Sequence, residues 1–345
     1  VTPPERDAQR RQNTAQSLEL PRREFLKRVG CASVLALAAG GLGFALHDPA
    51  GPPAGFEGRV LEGLGDFTPS SLVGKPSRMA IVRGANRAAM IVRGVQALGG
   101  METFIQKGDR VLLKVNAAFA TPASLAATTH PEILSAVAGL CFKAGAAQVL
   151  ATDNPINNPE SCFEISGLAQ AARDAGVRLV LPRAELFVPL SLPGGRLIQN
   201  WPTMAGAFKG VAKVIVLSPV KDHHRAGASM TLKNFYGLLG GRRNVFHQDI
   251  NGVIVELSRL FKPTLCILDG VTAMVANGPT GGSLSDLIAA NTLVVSTDPV
   301  AADAVGLELL GRTLAEVPYL RMAQEAGVGR ADYQTLNPLR LDAGA

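Results

Sequence analysis

With 345 residues, 47% of them hydrophobic, the chain is long enough to bury a large core without metal or disulfide staples. Its 37 glycines and 22 prolines supply many turns without reaching low-complexity levels. A net charge of +6 scattered along the chain, with only 5% aromatic residues, speaks against a stacking platform or basic stripe for nucleic acid and points to a small anionic ligand.

Residues 1–50 read as a targeting segment. A polar start leads into Pro21-Arg22-Arg23-Glu24-Phe25-Leu26-Lys27 and then into the uncharged run from Val29 to Leu46. That order matches a twin-arginine signal, so the twin-arginine export machinery is an expected partner and the expected location is periplasmic or secreted. The competing reading is an uncleaved apolar segment that anchors the chain in a membrane. Residues 51–77 follow as linker and lead-in, with Pro and Gly concentrated in 48–55.

From residue 78 short apolar, β-branched runs alternate with helical patterns, which predicts an α/β domain with a mostly parallel sheet flanked by helices. The predicted strands are Met79–Val82, Arg110–Val115, Ala147–Ala151, Val177–Leu181, Lys213–Leu217, Leu265–Leu268 and Leu293–Ser296. Their consecutive apolar positions suit a sheet covered on both faces. The clearest helix starts at Thr129-His130-Pro131-Glu132, with a proline in its first turn and apolar periodicity up to Gly145. Others occupy about 86–98, 160–175, 249–261, 299–311 and 314–326. The irregular stretch 183–210, which holds the single Trp201, reads as an insertion, the domain closes near 330, and 331–345 is left as a C-terminal tail.

In an open parallel sheet, ligands bind beyond the carboxyl ends of the strands. Five predicted strands finish in polar residues: Lys114 and Asn116; Asp153; the run Lys221-Asp222-His223-His224-Arg225; Asp269; and Asp298. Any one of these can be a helix cap or a solvated loop residue, and Asp298-Pro299 is also a strong helix start. Two adjacent imidazoles on a loop can ligate a metal or transfer a proton near neutral pH. Downstream, Lys233, Asn234 and Arg242 beside glycines, and Gly278 in the Asn277-Gly278-Pro279 loop, can present charge and backbone amides to an anion. The alternative is a solvated basic turn.

The cysteines Cys31, Cys141, Cys162 and Cys266 form no CxxC pair, so no iron–sulfur cluster is expected. Cys141 and Cys266 lie in apolar runs and read as small buried hydrophobes.

The order of short motifs resembles the domain-of-unknown-function family 362. The matching pieces are Lys114-Val115-Asn116, Thr128-Thr129-His130-Pro131-Glu132, the strand leading to Asp153, Lys221 with His223 or His224, and Leu232-Lys233-Asn234 before Gly237. Asp269-Gly270, Asn277-Gly278-Pro279 with Gly281, and Asp298-Pro299-Val300-Ala301-Ala302-Asp303 complete the set, which spans about 78–310. The family usually places a proline where this chain has Val115. Some members carry a ferredoxin-like cysteine module, which this chain lacks. The resemblance implies the fold and the site residues, and it implies no reaction.

The functional expectation is an exported enzyme that binds a small anionic substrate at the strand ends. Lys221, His223, His224 and Asp153 are its catalytic candidates, and Lys114, Asn116, Lys233, Asn234, Arg242 and Gly278 its binding candidates. A divalent metal, held by His223, His224, Asp269 and Asp298, is the accompanying cofactor candidate. The rival is a periplasmic binding or accessory protein without turnover.

Overall fold

The computed structural model describes residues 23–24, 26–31, 33 and 61–344. The first group is helical and stands as a unit of its own, with Arg28 3.9 Å from Glu24 one turn away. Arg22, most of the apolar run and the 48–55 linker lie outside the described residues. Among the described residues no helix is long and apolar enough to cross a membrane.

The second unit is built on one sheet. Its strands in chain order are β1 (Met79–Arg83), β2 (Arg110–Lys114), β3 (Gln148–Thr152), β4 (Arg178–Val180), β5 (Lys213–His223), β6 (Gly227–Ser229), β7 (Leu265–Met274), β8 (Leu287–Ile288), β9 (Thr292–Ser296) and β10 (Leu339–Asp342). The main path runs β10-β1-β9-β7-β5-β2-β3-β4, with β8 on β7 and β6 on β5. All neighbours on that path are parallel except at β9, which is antiparallel to both β7 and β1. The expected mostly parallel sheet is therefore present, with one reversed strand inside it.

Consecutive apolar residues are explained by the two covers. Ala80, Val82, Val111, Leu113, Leu293 and Val295 face α1 (Arg87–Ala97), α2 (Pro131–Lys143), α3 (Pro159–Ile165) and α4 (Leu168–Asp174). Their neighbours Met79, Ile81, Leu112, Val214, Val216 and Leu268 face the opposite layer. That layer is α5 (Thr231–Asn234), α6 (Ile250–Ser258), α7 (Pro299–Leu309) and α8 (Pro318–Glu325). Since successive side chains alternate across a strand, both sets must be apolar. Gly94 lets α1 approach closely, because a Cβ there would lie 2.7 Å from Val295 Cγ2.

Several boundaries differ from the sequence expectation, among them the 160–175 helix, which is two helices, Pro159–Ile165 and Leu168–Asp174. β5 and β7 run beyond their predicted ends, so Lys221, Asp222 and His223 lie on a strand extension and pair with Ser229, Ala228 and Gly227. Their polarity reads as loop in sequence, but the hairpin supplies the ladder bonds that a strand needs. Leu339–Asp342, in the stretch left as a tail, pairs in parallel with β1 and closes that edge. At the other end, Gly65–Asp66 pairs with Phe261–Lys262, and Phe67 joins the core ahead of residue 78.

The 183–210 insertion is ordered. Val188–Leu190 and Trp201–Thr203 form an antiparallel ribbon, anchored by the buried Leu190, Leu192 and Ile198. Trp201 donates its Nε1–H to the Gly240 carbonyl at 3.1 Å and packs against Phe246 with the rings tilted by 58° and their centroids 4.5 Å apart. The arm thus rests on the loop that follows α5.

Candidate functional site

The carboxyl ends of β2 and β3 lie side by side, next to the middle of β5, where Lys114 pairs with Val216, and the polar residues there interlock with α5. Lys114 Nζ donates to Asp153 Oδ1, Asn234 Oδ1 and the Val115 carbonyl, each at 2.8 Å. Asp153 Oδ2 accepts the Ala117 N–H at 2.6 Å, and Asn234 Nδ2 donates to Ser218 Oγ at 3.0 Å. All three side chains are buried. Burial lowers the Lys114 ammonium from its ordinary range, and the Asp153 carboxylate opposes that shift. The short helix α5 is held in place from behind, where the buried Asp303 accepts the Thr231 and Leu232 N–H groups at 2.8 and 2.9 Å.

Over this network lies a cavity of about 250 Å³ that includes Asn116, Asp153, Lys221, His223, His224, Lys233, Asn234, Tyr236, Arg243 and His247 in its lining. Its charges are unbalanced. Lys221, Lys233 and Arg243 face a single acid, Asp153, whose two oxygens are already engaged. Lys221 Nζ reaches Asn116 Oδ1 at 3.3 Å and the Ala127 carbonyl. Lys233 Nζ sits 4.8 Å above the Tyr236 ring and has no hydrogen-bond or ion-pair partner among the described residues. Burial lowers Lys221 to about 7, with repulsion from Lys233 adding to it, and lowers Lys233 to about 7, with repulsion from Arg243 adding to it.

The His223 ring is oriented by the backbone. Its Nδ1 accepts the N–H groups of Arg225 and Ala226, both at 3.1 Å, so the proton resides on Nε2. Burial, aided by Lys233, His224 and Lys221, lowers its value to about 2. His223 is therefore a neutral N–H donor through Nε2. His224 stacks on it at 5.0 Å, with Nδ1 3.4 Å from the Gly278 carbonyl, and His247 stands 6.2 Å away. Gly278 borders the site through that carbonyl, and its own N–H donates to Asp222 Oδ2 at 2.9 Å.

Three sequence candidates are not brought here. Asp269 lies within β7, where its Oδ2 pairs with Arg87 Nε of α1 at 2.8 Å on the other face of the sheet. Asp298 follows β9, and because β9 is reversed, that end lies beside the start of β1. There Asp298 Oδ1 caps α7 through the Ala301 N–H at 2.9 Å, and Oδ2 accepts the Arg330 N–H at 3.0 Å. Arg242 is exposed. Its neighbour Arg243 turns inward instead and donates to the carbonyls of Tyr236, Leu239, Asn154 and Pro155 at 2.8–3.3 Å. Arg243, Tyr236 and His247 join the site without a signal of their own in the sequence; the Arg242-Arg243 pair marks the segment but not which arginine enters.

The donor set does not suit the expected metal. The histidines and the two aspartates are separated, His223 Nδ1 is engaged, and no group of three metal-ligating side chains occurs among the described residues. What the arrangement can do is hold an anion between ammonium groups and an imidazole N–H, and exchange a proton at a lysine whose value lies near neutrality.

Residues 111–308 match the model of a family described as "Domain of unknown function (DUF362)". The thylakoid-associated protein sll1697 of Synechocystis sp. (strain ATCC 27184 / PCC 6803 / Kazusa) is 26% identical over 253 residues, covering 71% of this chain and 76% of its own length. No solved structure gives a significant match.

Proposed function

We propose, from the premise that this chain belongs to the DUF362 family, that its strand-end pocket binds a small anionic substrate and exchanges a proton with it. The observation that carries this reading is the half-buried Lys233 ammonium, which has no hydrogen-bond or ion-pair partner among the described residues, in a pocket with two further cations and one carboxylate already in use. Lys221 and Lys233 bind the anion, the Nε2–H of His223 donates to it, and a lysine serves as acid or base. Lys114, Asp153 and Asn234 hold the pocket's shape. With both Asp153 oxygens engaged, carriage of the anion without turnover is the second reading.

Calorimetric titration of the protein with sulfate and with acetate tests the site. One of the two is expected to bind with one-to-one stoichiometry. His223→Ala/His224→Ala should weaken it at least tenfold at unchanged circular dichroism, and Asp298→Asn should leave it unaltered. If neither anion binds, the pocket is not an anion site.

We also propose export through the twin-arginine pathway, supported by the order of residues 21–46. The relative described as thylakoid-associated is consistent with a membrane-proximal setting. Arg22→Lys/Arg23→Lys should leave the protein in the cytoplasmic fraction, and unchanged export of that variant would refute this route.

A further inference from the structure

We propose that the anion carries a flat apolar body, and that the 183–210 arm selects it in a second cavity next to the cationic pocket. This rests on the anion-site reading above. The second cavity measures about 620 Å³ and shares Asn154, Ile156, Tyr236, Arg243 and His247 with the inner pocket, so the two adjoin along these side chains. At about 250 Å³ the inner pocket falls below the ~300–1,000 Å³ usual for a small-molecule site. With its neighbour it reaches that range. The inner pocket therefore suits a charged head group, and the outer one the rest of the molecule.

The outer cavity has an apolar side of Pro155, Ile156, Ala184, Phe187 and Pro202 alongside the polar Asn154, Arg243, Asn244 and His247. Ile156 is 65% exposed at the junction, although its N–H is tied to the Ala118 carbonyl at 2.9 Å. Its side chain borders both cavities. The arm contributes Ala184, Phe187 and Pro202. Phe187 lies directly on Gly240, where a Cβ would come within 2.6 Å of its Cδ1, so the ring and bare backbone form a low, flat surface. The Trp201 bond to the Gly240 carbonyl ties the arm to that backbone. No acid lines this cavity among the described residues, so nothing there repels the anion on its way inward.

Matched probes separate this inference from the reading beneath it. Methanesulfonate is compared with 1-naphthalenesulfonate, and acetate with 1-naphthoate, by calorimetry. In the pair that binds, the naphthyl member is expected to bind at least tenfold more tightly. Phe187→Ala should reduce that preference to under threefold while leaving the methyl member's affinity within twofold. Ala184→Trp, at an exposed position, should do the same by filling the cavity. Equal affinities in the unmodified protein, or a preference that survives both variants, overturn the apolar subsite and leave the anion pocket standing. Binding of neither pair overturns both.

Discussion

Asp153→Ala is expected to cost the fold about 3–5 kcal/mol, the range seen when one partner of a buried ion pair is removed. The Lys114 side chain is fully buried, and its ammonium has one charged acceptor, Asp153, beside two neutral ones. Deleting the carboxylate leaves the ammonium without a counter-charge and the Ala117 N–H without its acceptor. Lys114→Met/Asp153→Leu removes both charges together and should recover most of the loss, which separates a stranded charge from a simple packing defect. Gly237→Ala reaches the same pair sterically, since its Cβ would sit 2.0 Å from Asp153 Oδ1. Urea denaturation of the four proteins measures the effect. A single Asp153→Ala variant within about 1 kcal/mol of the parent would show that the pair does not organise the strand ends.

The second large effect is on pH. Lys221 and Lys233 each fall to about 7 in the folded protein, against an ordinary value of 10.5. Between about 7 and 10.5 the unfolded chain then holds more protons than the native one, so these two groups make stability rise with pH across that window. Below it both states hold the protons and the penalty is constant. Lys221→Met/Lys233→Met should flatten the rise seen in the parent's thermal midpoint and raise the midpoint at pH 6. Anion affinity runs the opposite way, because only the protonated lysines attract the ligand. With a probe of constant charge such as sulfate, affinity should hold below pH 7 and fall at least tenfold for each pH unit above it. Binding above pH 7 should also draw protons from the buffer, visible as a dependence of the calorimetric heat on buffer ionisation enthalpy. Affinity that is flat from pH 6 to 9 would mean that neither lysine holds the anion.

Much of the site was legible because a parallel sheet is predictable in one respect: strands that run together end together. That rule points to Lys114, Asp153 and Lys221, while Lys233 and Asn234 are marked by the glycine-flanked basic segment, and the structure brings all five to one network and the cavity above it. The same rule failed at Asp298, because β9 is reversed and delivers its end to the other side of the sheet. It failed at Asp269 because β7 continues to Met274, which leaves that carboxylate inside a strand and turned toward α1.

The sequence by itself determined the alternation of strands and helices and the residues that start the helices, among them Pro131 and the Asp298 cap of α7. These depend on neighbours a few positions away: side-chain period, fixed proline dihedrals and local hydrogen bonds to unpaired N–H groups. Only the tertiary structure decided the direction of β9, the hairpin that makes a strand of Lys221–His223, the tautomer of His223, and the choice of Arg243 over Arg242. Each of those depends on which distant backbone supplies the partner and on how far water is excluded once it does. Hydrogen-bond satisfaction and dehydration are settled across the sheet, between segments remote from one another along the chain.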